Sequence, residues 1–112
     1  MSKTILIKIG SNVLTLSSGA PDEKRIEHIV EQIATLKKQG HQVILVSSGA
    51  VAAGRALTTL PSSLDTISKR QVLAAVGQIS LMHLYAHYFN KLGLVCAQVL
   101  ITKESFSTRE HY

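Results

Sequence analysis

Two short segments constrain this chain more than anything else in it: each is a small-residue turn set directly behind a continuous apolar run. Lys8-Ile9-Gly10-Ser11 follows Ile5-Leu6-Ile7, and Ser47-Ser48-Gly49-Ala50 follows Val43-Ile44-Leu45-Val46. A short β-branched run without alternation reads as a strand buried on both faces, the kind found in parallel sheets. Parallel neighbours bring their carboxyl ends to one edge, and ligands bind in the crevice there. Backbone N–H groups of a glycine-bearing turn ahead of a helix suit phosphate or carboxylate. The pairing points to phosphoryl transfer rather than to a metal or thiol site.

The chain between and after these turns supplies the rest of an α/β unit. Thr15–Ala20 reads as a polar loop. Pro21, Asp22 and Glu23 then mark a helix start, because proline pre-sets φ and the acids complement the dipole. Ile26, Ile29, Val30 and Ile33 recur at helical spacing as one apolar face, and Lys37, Lys38 and Gly40 form the stop. The second strand, Gln42–Val46, follows at once, giving a βαβ unit with an expected right-handed crossover. A short alanine-rich helix is expected to about Leu57, then a loop over Thr58–Asp65 containing Pro61. A long helix is expected from Ser68 to Lys91, closed by Gly93. Its apolar residues Leu73, Val76, Leu81, Leu84 and Tyr85 cover more than one face, which predicts burial between the sheet and a second body. Leu94–Ile101 predicts a third strand, and Thr102–Tyr112 is a polar end without a closing element.

Composition removes several function classes. At 112 residues with 46% hydrophobic and 17% charged residues, the chain reads as one globular α/β domain. It contains no apolar run of about 18 residues, so no membrane span is expected. Met1-Ser2-Lys3-Thr4 enters a strand without the apolar core of a signal peptide. The single cysteine, Cys96, allows no internal disulfide, which predicts a cytoplasmic protein, and its place in an apolar run predicts a buried small hydrophobe. The net charge of +5 comes from dispersed lysines and arginines with few aromatics between them, so nucleic acid is not the expected partner. A basic domain handling ATP and an acidic substrate accounts for the charge equally well.

Six residues carry the chemical expectation. Lys8, near the carboxyl end of a buried strand, can lie along transferring phosphates and neutralise charge that develops there, whereas an edge-strand lysine would only reach solvent. Gly10 lets backbone approach a ligand, or is an ordinary turn glycine. Ser11 opens the segment behind it. Ser48, Gly49 and Ala50 begin a helix and can hold a carboxylate or phosphate, or Ser48 is a plain N-cap. The G-x-S-x-G, G-x-x-x-x-G-K-[ST] and G-x-G-x-x-G patterns are absent. His83 and His87 stand four apart on the long helix without a supporting carboxylate and are expected to be surface or interface residues, so no metal site is assigned. Asp22, Glu23, Glu27 and Glu31 belong to a solvated helix face.

Three ordered segments, Lys8–Thr15, Val46–Gly54 and Leu73–Gln78, closely resemble the amino acid kinase family, and within it the glutamate kinases. Gly10 is followed by Ser11 where other members carry a Gly-Gly pair. The resemblance runs through to Thr102 and Arg109-Glu110. It implies a three-layer sandwich with a mostly parallel sheet. It also implies transfer of the γ-phosphoryl of ATP to the side-chain carboxylate of L-glutamate, with Mg2+ required, as the opening step of proline biosynthesis. By motif, Lys8 would stabilise the phosphates, Gly10 and Ser11 would line their path, and Ser48, Gly49 and Ala50 would hold glutamate. The family's kinase domain is longer, so residues 1–112 correspond to its amino-terminal part, without the nucleotide-binding carboxyl-terminal part. No turnover is expected from this length alone. A homo-oligomer and inhibition by proline are further implications. The competing expectation is a non-catalytic module that binds a carboxylate or assists assembly.

Overall fold

A computed structural model describes residues 1–101. Its elements run β1 (Thr4–Ile9), α1 (Ser11–Leu14), α2 (Glu23–Lys38), β2 (Gln42–Ser47), α3 (Ala50–Leu57) and α4 (Thr66–Lys91). β1 and β2 are parallel neighbours, in register from Thr4 opposite Gln42 to Ile9 opposite Ser47, with α2 as the crossover.

Local chemistry explains the boundaries. The Asp22 carboxylate accepts the Arg25 N–H at 3.2 Å and caps α2, so the helix begins at Glu23, just after the expected Pro21. At the far end Gly40, at φ 90°, lets its own N–H reach the Lys37 carbonyl at 3.0 Å and the His41 N–H reach the Leu36 carbonyl at 3.2 Å. That is the paired reverse bonding of a left-handed helix stop. α4 ends the same way at Gly93. Its start lies two residues earlier than Ser68 because Asp65 caps it, accepting the Ser68 N–H at 2.7 Å and its hydroxyl at 3.0 Å.

The core lies between α2, α4 and one face of the sheet. Ile26, Ile29, Val30 and Ile33 of α2 are buried as their spacing predicts, and they meet Leu14, Leu81, Tyr85 and Phe89. Each such aliphatic side chain contributes about 1.5–3 kcal/mol by leaving water. On α4 the buried positions are Leu73, Gly77, Leu81, Tyr85 and Phe89, one every fourth residue. Such a row is a ridge inclined to the helix axis. Its amino-terminal half packs on α3, where Gly54 and Gly77 bring the two backbones together: a Cβ on Gly77 would run into the Ala50 carbonyl, and one on Gly54 into the Leu73 carbonyl.

Four expectations need correction. The strands are covered on one face only: Ile7, Ile9, Val43 and Leu45 pack on the core, while Leu6, Ile44 and Val46 stand on the open face. Helices α2 and α4 both pack on the same side, so no element among the described residues covers the other. Leu94–Ile101 is not a strand. Leu94 packs on the core, but the residues behind it form no ladder with β2, and Val95 and Val99 are exposed. An apolar run records a tendency to burial, and it becomes a strand only where an edge hydrogen-bonds to it. Between this segment and β2 lies a groove of about 680 Å³, lined by Val43, Leu45, Met82, Phe89 and Leu94 among others. Cys96 is exposed for the same reason. Finally, a short helix, α1, stands directly behind Gly10, held by the Val13 N–H on the Gly10 carbonyl at 3.1 Å and anchored by Leu14, which is 1% exposed. A four-residue helix is too short to leave a periodicity. Thr102, Arg109 and Glu110 lie outside the described residues.

Candidate active site

The carboxyl edge of the two-stranded sheet carries both turns. β1 ends at Ile9 and β2 at Ser47, and these two residues are partners in register. One residue further on, the Ser48 N–H donates to the Ile9 carbonyl at 2.9 Å, which carries the pairing past the last strand residues. The turn Gly10-Ser11 and the turn Ser48-Gly49-Ala50 are thereby neighbours, although 38 residues separate Gly10 from Ser48 along the chain.

Each turn opens a helix with unspent donors. α1 has Gly10 at its N-cap in an extended conformation, and no side chain caps it. α3 has Gly49 at its N-cap, again without a side-chain cap, and its first internal bond runs from the Ala53 N–H to the Gly49 carbonyl at 2.9 Å. The leading N–H groups of a helix lack internal partners and carry its positive dipole end. Two such starts at one edge make a surface suited to anionic oxygen.

Gly49 occupies its place by conformation. Its φ is 110°, in the left-handed region, while a Cβ there would meet Leu14 only at an ordinary 3.7 Å. The N-cap is therefore Gly49 and not Ser48, so the plain N-cap role for the serine is set aside. Ser48 is exposed at the edge. Gly10 has no atom within 4 Å of where a Cβ would stand, and its φ of −78° suits any residue.

Lys8 sits one step back from the edge. It is exposed and pairs in register with Val46, on the open face with Leu6 and Ile44. The expected burial of this lysine inside the sheet does not hold, because the face it stands on is bare among the described residues. Five of the six expected residues, Gly10, Ser11, Ser48, Gly49 and Ala50, share the edge, and Lys8 flanks them from the open face.

One contact beneath the edge escaped the sequence reading. The Ser47 hydroxyl lies 2.8 Å from the Tyr85 hydroxyl and donates to the Ser48 carbonyl at 3.0 Å. Ser47 has one hydroxyl proton, so Tyr85 is the donor to Ser47. Burial pushes the Tyr85 phenol above its ordinary value. The only hint in the sequence is that a buried tyrosine needs a partner for its hydroxyl.

The acidic side chains of the described residues belong to α2 and to the two caps, Asp22 and Asp65. The edge itself therefore presents donors for phosphate or carboxylate and no carboxylates for a magnesium ion. His83 and His87 lie on the exposed side of α4. Among the described residues no helix is long and apolar enough to cross a membrane.

The model of the amino acid kinase family matches residues 3–112. The chain is 47% identical over 108 residues to the glutamate 5-kinase of Bacteroides thetaiotaomicron, covering 96% of this chain and 30% of that protein. It is 44% identical over 110 residues to the glutamate 5-kinase of Chlorobaculum tepidum, with 98% and 30% covered. With glutamate 5-kinase 1 of Bacillus subtilis it shares 47% over 108 residues, with 96% and 30% covered. The chain thus spans about 30% of the length of the curated relatives it matches. With a family match over nearly its whole length, this chain belongs to the amino acid kinase family.

Proposed function

We propose that the chain carries part of the site of an ATP-dependent kinase that phosphorylates the side-chain carboxylate of L-glutamate, forming glutamyl 5-phosphate at the head of proline biosynthesis. The observation that supports this most is the Ser48-to-Ile9 hydrogen bond, which joins the two turns at one edge. In this reading the Gly10-Ser11 turn follows the phosphates and Lys8 reaches them from the open face. Ser48, Gly49 and Ala50 hold the substrate carboxylate.

The chemistry asks little of the protein beyond placement. The glutamate carboxylate is ionised at neutral pH, so no general base is required. Its oxygen forms a bond to the γ-phosphorus while the bond to the ADP oxygen breaks, and the negative charge moves onto ADP. Catalysis is then alignment plus neutralisation by fixed donors. Mg2+ would enter with ATP, and no residue of the edge fits it as a ligand. The relatives' remaining length is assigned the adenine- and magnesium-holding segments, residues 1–112 being the amino-terminal part of the kinase domain. A three-layer sandwich with a mostly parallel sheet follows from the same reading, because parallel strands are stable with both faces covered and Leu6, Ile44 and Val46 have no cover here. A cytoplasmic homo-oligomer inhibited by proline is the matching whole-protein assignment.

Backbone amide NMR of the chain tests the assignment of the two turns. L-glutamate should shift the Ser48, Gly49 and Ala50 amides, and ATP should shift those of Gly10 and Ser11. A response to glutamate with none to ATP would support the carboxylate-binding module instead. Shifts confined to other elements would overturn both.

A further inference from the structure

We propose that His83 and His87 form a two-imidazole binding site for a divalent transition cation of the Ni2+, Cu2+ and Zn2+ class on the outer face of α4. The two rings stand side by side, with centroids 6.5 Å apart and planes 18° from parallel. Both residues are exposed and lie one helical turn apart within a continuous helix, so their Cβ atoms share one face. Chelation needs ring nitrogens about 2.0–2.1 Å from the metal. Histidines at i and i+4 on one helix face can reach a single ion through rotation about χ1 and χ2, and the backbone need not move.

The surroundings favour this pair over the other described histidines. The His28 ring contacts the Gln32 amide at 3.3 Å, and His41 Nδ1 accepts the Lys3 N–H at 3.2 Å. Within the described residues no hydrogen bond engages His83 or His87. Residues 71–90 of α4 contain no Asp, Glu, Lys or Arg, so the pair offers two imidazole nitrogen ligands without carboxylate oxygens. That donor set selects borderline transition cations over Mg2+ and Ca2+. Lys91, the next residue along this row, lies over the Tyr88 ring at 5.5 Å. With two protein ligands the remaining positions go to water, so the site is open and exchangeable. It is separate from the sheet edge and does not depend on the kinase assignment.

The test is calorimetric titration of the 112-residue chain with NiCl2 in a Cys96→Ser background, which removes the exposed thiol as a competing ligand. One saturable site per chain is expected, weakened roughly a hundredfold in His83→Asn and in His87→Asn, because each loses the intramolecular second ligand. His28→Asn should bind as the parent does. Helical circular dichroism shows whether the variants keep the fold. Tyr88 gives an independent signal, its ring lying 5.0 Å from that of His87: Cu2+ should quench tyrosine fluorescence in the parent and not in His87→Asn. Unchanged affinity in both histidine variants, or no saturable site in the parent, would overturn the proposal.

Discussion

The N–H of Ser48 donates to the carbonyl of Ile9 at 2.9 Å, and this bond extends the pairing of β1 and β2 to the two distant glycine-bearing turns at the same edge of the sheet. Everything chemical in the account rests on that adjacency. Either turn alone is an ordinary helix start. Together they put the uncapped starts of α1 and α3 beside each other, with Lys8 flanking.

The crossing of α3 and α4 should tolerate no side chain at its two glycines. Alanine at Gly54 or Gly77 gains about 1 kcal/mol of helix propensity, but its methyl meets backbone carbonyls that no rotamer change can move aside. Overpacking against backbone costs about 3 kcal/mol, at the upper end of its usual range, so each variant should lose about 2 kcal/mol net. Urea unfolding of Gly54→Ala and Gly77→Ala measures it. Gly10→Ala, with open space and an ordinary φ, should be neutral or stabilising by up to about 1 kcal/mol.

Gly49 should be irreplaceable for a different reason. Its φ of 110° strains any side chain, so Gly49→Ala should destabilise by about 1–2 kcal/mol despite the available space. The same denaturant series separates the two cases. Shortening Leu14 to alanine should relieve nothing at Gly49, whereas a packing conflict would be eased.

The Tyr85 phenol gives the fold an alkaline limit. Its folded pKa is raised, so its contribution to stability is complete below the ordinary phenol value of about 10. Above that value the unfolded chain sheds its proton first, and stability falls until the pH passes the folded pKa. Tyr85→Phe should flatten this part of the stability curve and cost about 1 kcal/mol at neutral pH through the lost bond to Ser47. Thermal melts from pH 8 upward provide the comparison.

Asp65 sets the corresponding acid limit at the start of α4. The Ser68 N–H and hydroxyl hold its carboxyl below the usual carboxylate range. A depressed pKa contributes stability above the unfolded value, and that stability is lost as pH falls through the folded one. Asp65→Asn, which keeps capping ability, should remove part of the acid dependence, while Asp65→Ala should also lower the melting temperature at neutral pH.

Much of this fold could be read from local chemistry, and the reasons for the failures are specific. α2 was visible because four apolar residues, two lysines and Gly40 agree on one helix. α4 is legible because Gly93 closes a long apolar segment, while the Asp65 cap that starts it two residues before Ser68 is not. The short α1 left no period to read. The third strand at Leu94–Ile101 was expected because apolar runs look alike whether or not a neighbouring edge bonds to them. Lys8 was placed inside a sheet covered on both faces, but coverage depends on which elements pack on each side, and strand sequence alone does not record that. The edge itself was legible because strand, glycine and helix start follow one another directly. The Ser47–Tyr85 bond beneath it spans 38 residues and left no local trace.

Formation of γ-glutamyl hydroxamate from ATP, glutamate and hydroxylamine reads out phosphoryl transfer at this edge. The chain is assayed with the carboxyl-terminal kinase portion of a related glutamate 5-kinase supplied in trans, beside its Lys8→Met variant. ATP-dependent product is expected with the parent chain and a loss of about 10²–10³-fold in the variant, since charge neutralisation at the phosphates is removed. Because Lys8 is exposed, the variant should melt at the parent's temperature. Equal product from Lys8→Met and the parent would contradict the assignment of this edge to phosphoryl transfer.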